Sequence, residues 1–275
     1  MPINLTHFLF SQSSLQDYVD CPRRFQLRYM LHTAWPAVET EPILAAEAHM
    51  ERGQAFHRLL QQDTLGLSRE LLTAAAQGAE LADWWRSYLE HGPADLPPDR
   101  YAEVSLAIPV AGHGLVAKYD LVAVSPDRLV IVDWKTNLRR PPRTVLKARL
   151  QTHVYPFVLV QAGAQLTGRP VQADQVEMLY WFAEFPLQTE LFRYSQESLD
   201  ADADRFERLI HEITTRQDEV FPVAEDPRRC RFCVYRSLCE REVAAAPYDE
   251  EDADLADAAD LALDVNLDQV AEIVY

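Results

Sequence analysis

Glycine and cysteine are scarce in this 275-residue chain, with eight of the first and four of the second against seventeen prolines. That ratio points to a helix-rich fold whose elements end sharply. Long apolar runs are lacking too. None approaches the ~18 residues of a spanning helix, and no basic segment followed by an apolar stretch opens the sequence. Neither a membrane span nor a signal peptide is therefore expected. The expected compartment is the cytoplasm, where thiols stay reduced and clustered cysteines hold metals more often than they form disulfides. Positive charge is in short supply, 26 Lys and Arg against 43 Asp and Glu, for a net −17. That balance weakens a nucleic-acid reading, because phosphate attraction normally calls for a basic surface. A Walker A pattern, G-x-x-x-x-G-K-[ST], is also missing.

What is present describes a globular protein, with 48% apolar residues and 10% aromatics, enough for one sizeable core with an appended module. The charge is unevenly spread. Residues 244–275 hold ten acidic residues and no Lys or Arg, which leaves a body, residues 1–243, of net −7. The tail reads as a solvated, partly disordered segment, although Leu263, Leu267, Val270 and Val274 would share one helical face. Within the body, arginines cluster at 23–28, 139–149 and 228–241.

Ser13-Ser14-Leu15-Gln16 fits a capping box, predicting a first helix from Ser13. Pro22 ends that helix at Cys21 and suits the start of another, leaving the Cys21 thiol free to turn outward at the break. Further helices are expected over 45–62, 70–90, 144–162 and 198–216, and strands over 101–110, 114–124, 128–136, 175–183 and 188–194. In the first strand Val104, Leu106, Ile108 and Val110 alternate with Glu103, Ser105 and Ala107, so Glu103 should face solvent, an accessory carboxylate at most. Strands grouped in the middle and flanked by helices imply an α/β or α+β domain with a mixed sheet.

The chemistry concentrates in "AKYDLVAVSPDRLVIVDWKTN", residues 117–137. A turn centred on Pro126-Asp127 sets Asp120 opposite Asp133, and strand alternation brings Lys135 out on the same face. Opposed carboxylates destabilise a sheet unless a cation lies between them, and Mg²⁺ favours carboxylate oxygens together with water and phosphate. A nearby ammonium could position an attacking water. An Asp–Lys ion pair on an exposed face is the plainer alternative. "QTHVY" then sets Gln151 and Tyr155 on one helical face, where they could contact phosphate or stack on a base, or simply pack. His57, in "GQAFHRLL", is a candidate nitrogen ligand. The cysteines form C-x2-C-x5-C (Cys230, Cys233, Cys239) plus the distant Cys21, a set that suits a [4Fe–4S] cluster, zinc or no metal at all.

"SQSSLQDYVDCPRRF", "GQAFH", "YD" before "IVDWKT", "QTHVY" and "CRFCVYRSLC", in this order over about residues 11–240, resemble the RecB-like branch of the PD-(D/E)XK nuclease superfamily. They are similar above all to its iron–sulfur members, such as the AddB nuclease domain and the CRISPR adaptation nucleases. The resemblance implies a restriction-endonuclease-like core, a central mixed sheet flanked by helices, with the N- and C-terminal segments joined by a four-cysteine cluster. His57, Asp120, Asp133 and the Trp134 carbonyl would bind Mg²⁺ or Mn²⁺, and Lys135 would serve the hydrolytic water. Gln151 and Tyr155 would form a Q-x-x-x-Y element near the DNA, and Cys21, Cys230, Cys233 and Cys239 would hold a [4Fe–4S] cluster. One departure is Ala117, where the family usually has glycine. The implied activity is metal-dependent hydrolysis of DNA, with single-stranded or frayed ends as substrate, in repair, recombination or related processing, beside a helicase or another such subunit. The alternative is a catalytically weak nucleic-acid-binding or scaffold subunit of a helicase–nuclease complex.

Overall fold

The computed structural model describes residues 5, 8–33, 41–230 and 233–239, and of 41–47 the backbone alone. The acidic stretch 244–275, with its expected helical face, lies outside the described residues.

A short strand, β1 (Leu9–Ser11), leads directly into α1 (Gln12–Asp20). The capping box sits two residues earlier than expected. Ser11 is the cap, its hydroxyl accepting the Ser14 N–H at 3.2 Å while Ser14 Oγ accepts the Ser11 N–H at 2.9 Å. Gln16 is thereby released for another partner. Cys21 ends α1 in an extended conformation and Pro22 begins α2 (Pro22–Phe25), which runs on as a π turn, Gln26–Met30. Then come α3 (Glu41–Thr64), α4 (Arg69–Ala75) and α5 (Ala79–His91). The last two were expected as one helix; Gly78, at φ +88°, turns the chain between them. The helix expected over 144–162 is likewise divided, into α6 (Arg143–Ala148) and α7 (Leu150–Ala162), because Arg149 takes an extended backbone. The short α8 (Ala164–Thr167) and the long α9 (Gln196–Thr215) complete the α-helices among the described residues.

The sheet adds β2 (Asp99–Val110), β3 (His113–Val124), β4 (Leu129–Lys135), β5 (Val176–Phe182) and β6 (Glu190–Arg193). It is mixed, as expected. β2 lies antiparallel along one edge of β3, and the other edge is shared: β1 runs parallel to residues 114–116, while β4 pairs antiparallel with residues 121–124. β5 follows parallel to β4, and β6 antiparallel to β5. The hairpin register is the predicted one, with Leu121 facing Val132 and Val122 facing Ile131. The ladder stops there, however. Beyond Val132, β4 leaves β3 and continues beside β5 alone, so Asp120 and Asp133 stand at a fork in the sheet.

Each face of the sheet carries a core. Tyr119, Ile131, Met178 and Tyr180 pack with Val154 and Val158 of α7 and Phe206 of α9. Across the sheet, Leu121, Val132, Trp134 and Trp181 pack under Phe56 and Leu60 of α3 and Trp84 of α5. Full burial of one such side chain contributes about 1.5–3 kcal/mol. Along β3 the alternation inverts: Ala117 and Tyr119 face the first core, Leu121 and Ala123 the second. β2 inverts beside it, since Tyr101 and Val104 both turn to the first core. Glu103 lies at the inversion, across from Asp120, with φ +53° in mid-strand. Such a conformation is unfavourable for a residue with a Cβ, and here it reverses the pleat.

Candidate active site and cysteine cavity

Asp133 is almost fully buried, at 4% exposure. Its Oδ1 accepts a 2.6 Å hydrogen bond from Gln151 Nε2, and its Oδ2 lies 2.9 Å from Lys135 Nζ. Lys135 Nζ donates in turn to Gln151 Oε1 at 3.1 Å, closing a triangle. The strand period places the first two groups on one face. Gln151 reaches them from the first turn of α7, so the point where that helix starts decides where the amide sits.

Asp120 stands on the other arm of the fork. Its Oδ2 accepts the Trp134 N–H at 2.9 Å, and its Oδ1 lies 3.3 Å from His57 Nδ1. The Trp134 indole points away, against Tyr88 and Trp181, so only its main chain reaches the site. His57 arrives from α3 because Gly53, one turn earlier, permits a close approach: a Cβ there would lie 3.1 Å from Thr136 Oγ1. Glu103 completes the group. It does not face solvent freely as alternation implied, because the inverted pleat carries it inward. His57, Glu103 and Asp120 each offer a ligand atom within 4.8 Å of the others, and Glu103 Oε2 is 2.9 Å from Lys118 Nζ.

Burial pushes the Asp133 carboxyl up to about 6, with Lys135 opposing and Asp120 adding to the rise. Burial opposes charge on His57, but the Asp120 carboxylate, helped by Asp133 and Glu103, raises its pKa to about 9. Asp120 is held below the ordinary carboxylate range, since His57 and the Trp134 N–H outweigh its burial. Two carboxylates, Glu103 and Asp120, and the His57 imidazole therefore converge on one small volume, with the Asp133 carboxyl near enough to act on its charge. Asp133 Oδ2, although close to Lys135, has no well-directed hydrogen bond. Hard oxygen donors with one imidazole and spare acceptor capacity fit Mg²⁺ or Mn²⁺.

Tyr155 is buried one turn deeper than Gln151, its ring 5.1 Å from that of Tyr119, whose hydroxyl donates to the Tyr155 carbonyl at 3.0 Å. The structure thus brings together His57, Asp120, Asp133, Lys135 and Gln151 but sets the Tyr155 ring in the core. Glu103, expected to face solvent and to be an accessory carboxylate at most, joins this group, and Gly53 was missed; a lone glycine in a helical pattern was the available signal for it.

Cys21, Cys230, Cys233 and Cys239 line a single cavity with Arg24, Arg229 and Arg236. No disulfide joins them, and Cys21 turns inward rather than outward. Burial pushes the Cys233 thiol up to about 11, with Arg24 working against the rise. Arg24 pairs with Asp17 at 2.8 Å and Asp20 at 3.0 Å, Arg28 with Asp17 at 3.1 Å, and Arg229 with Asp20. Several clustered arginines thus hold the fold instead of forming an open basic face, as do Arg140 and Arg143, which both pair with Glu190. Among the described residues no helix is long and apolar enough to cross a membrane.

Among curated proteins, none matches the chain in sequence. Similar solved structures include a protein from Eubacterium rectale provisionally called an exonuclease, at 10% identity and TM-score 0.48, with 90% of this chain and 93% of that one covered. Another is SSO0001, at 12% identity and TM-score 0.43, with 86% and 88% covered. The family model of the PD-(D/E)XK nuclease superfamily matches residues 9–240, a span that takes in β1, the fork and all four cysteines. The chain belongs to the PD-(D/E)XK nuclease superfamily.

Proposed function

We propose that this chain is a Mg²⁺- or Mn²⁺-dependent deoxyribonuclease of the RecB-like branch. It hydrolyses phosphodiester bonds on single-stranded or frayed DNA ends, in repair, recombination or related processing. The observation that carries this reading is the Asp133–Lys135–Gln151 triangle at the fork, facing Asp120. Asp120, Asp133, His57 and Glu103 would hold the cation, with the Trp134 carbonyl beside them. The bound cation supplies Lewis acidity toward the phosphate and lowers the pKa of water. Lys135 Nζ holds the attacking water and offsets negative charge growing on phosphorus. Gln151 holds the Asp133 and Lys135 side chains against each other, which spares them reorganisation during the reaction. Tyr155 supports α7 from below, and DNA lies over the Gln151 end of the helix.

The four cysteines fit a metal group of their own, since soft thiolates converge on one cavity beside guanidinium groups that would balance them. A [4Fe–4S] cluster takes four such thiolates, with zinc the alternative for the same set. On this reading residues 1–243 form the nuclease domain and 244–275 an appended tail.

Cleavage of labelled single- and double-stranded DNA, titrated with Mg²⁺ and Mn²⁺, tests the site. Asp133→Ala and Lys135→Ala should each lower the rate ~10²–10⁴-fold. Activity surviving both would place the chemistry elsewhere, while a wild-type chain that binds DNA without cutting it would favour the scaffold alternative. Visible absorption and metal analysis of anaerobically purified protein test the cluster; a colourless protein with one zinc per chain would refute it.

A further inference from the structure

Gln16 does not cap its own helix; its side chain crosses to α7. Oε1 accepts the Leu150 N–H at 2.9 Å and Nε2 donates to Asp20 Oδ1 at 3.0 Å, and both bonds are buried. Leu150 is the first residue of α7, and the residue before it, Arg149, supplies no side-chain cap. The first N–H groups of a helix have no partner within it, so the start of α7 depends on a side chain 134 positions away. The next residue is Gln151, which holds Asp133 and Lys135. On its other side, Asp20 binds Arg24 at 3.0 Å and also Arg229, and both guanidiniums line the cysteine cavity. Asp20 Oδ1 is shared between Gln16 and Arg229. One run of polar contacts therefore leads from the cavity, through Asp20 and Gln16, to the helix turn that carries the Gln151 amide.

Resting on the nuclease reading above, we propose that Gln16 is a positioning residue. It fixes the start of α7, and through it Gln151 against Asp133 and Lys135, and it ties that placement to the occupancy of the cysteine cavity. Arg24 and Arg229 stand between the cavity and Asp20, so a rearrangement of the four cysteines reaches the oxygen that orients Gln16. The Leu150 bond transmits it, because a helix start that loses an external acceptor frays.

Two variants of the full chain separate the two halves of this role. Gln16→Met removes both bonds at similar volume. Gln16→Glu keeps an acceptor for the Leu150 N–H but sets a carboxylate against Asp20. Gln16→Met should lower kcat roughly tenfold, with KM for single-stranded DNA within about twofold of wild type and the metal content per chain unchanged. It should have no further effect in a Gln151→Ala background. Gln16→Glu should restore most of kcat. Full kcat in Gln16→Met, or the same fold loss with and without Gln151, would overturn the positioning role.

Amide exchange over residues 150–152 gives a readout free of activity. Stripping metal from the cysteine cavity should speed exchange there in the wild type and leave it unchanged in Gln16→Glu. An unchanged wild type, or a Gln16→Glu chain that responds like it, would overturn the link, and this arm decides even where Gln16→Met fails to fold. A wild-type chain that cuts no DNA sinks the nuclease reading, and the exchange result alone then decides the Gln16 proposal.

Discussion

Asp133 keeps a charge where burial resists it. The folded carboxyl is pushed up to about 6 against an ordinary 3.8, so between those values the folded chain binds a proton that the unfolded chain has released. Metal-free stability therefore falls as pH rises through that window and stays lower above it. With a chelator present, Asp133→Asn should raise stability at pH 8 by about 1–3 kcal/mol and give no gain near pH 3.5, as calorimetry at both pH values would show. His57 works in the opposite sense. Its folded pKa of about 9 lies above the ordinary 6.5, so its contribution is complete below the lower value and is lost as pH rises through the upper one. In urea melts without metal, His57→Gln should weaken the chain at pH 6 and leave it nearly unchanged at pH 10. Both behaviours follow from placing these residues together, and that placement was partly legible in the sequence. Asp133 and Lys135 are two apart on one strand, Asp120 is fixed by the hairpin register, and Gln151 opens the next long helix. His57 was legible as a candidate ligand, but its place beside Asp120 came only from the family resemblance, since nothing local says which strand α3 will approach.

Glu103 shows what strand periodicity cannot reveal. The alternation from Val104 to Val110 is real, but it reverses at a backbone angle that the side-chain pattern does not encode, so a residue assigned to solvent turns toward His57. Glu103→Gly would relieve the positive φ while removing the carboxylate. Thermal stability should hold or rise, while the Mn²⁺ concentration for half-maximal cleavage should increase roughly tenfold, as metal-titrated rates would reveal. Other boundaries were hidden for related reasons. β1 is three residues long, too short for any alternation, and the breaks at Gly78 and Arg149 interrupt patterns whose apolar spacing continues on either side. The central strands were legible because each is long, apolar and bounded by turn residues.

The described N-terminal helices are tied to the end of α9 and the segment after it. Besides the cysteines, Tyr18 donates to Glu212 at 2.6 Å and accepts from Arg216 at 2.8 Å, while Gln26 donates to the Glu219 carbonyl and accepts the Phe221 N–H, each at 2.9 Å. The spacing of the cysteines made this closure legible, but the polar contacts around it are pairings across nearly the full chain, with no local signature. A metal clasp from residue 21 to 230–239 would restrict a loop of roughly 200 residues, so Cys233→Ser should lower stability by about 3–5 kcal/mol in urea titrations and release the bound metal. The same closure sets an order in time. A ribosome adding about 5–20 residues per second needs on the order of 10–40 s to travel from Cys21 to Cys230. During that interval Gln26 and Tyr18 lack their partners beyond residue 211, and Asp20 lacks Arg229. On the nuclease and Gln16 readings, a chain truncated before Arg229 should therefore hold Gln151 less firmly and cut DNA more slowly than the full chain.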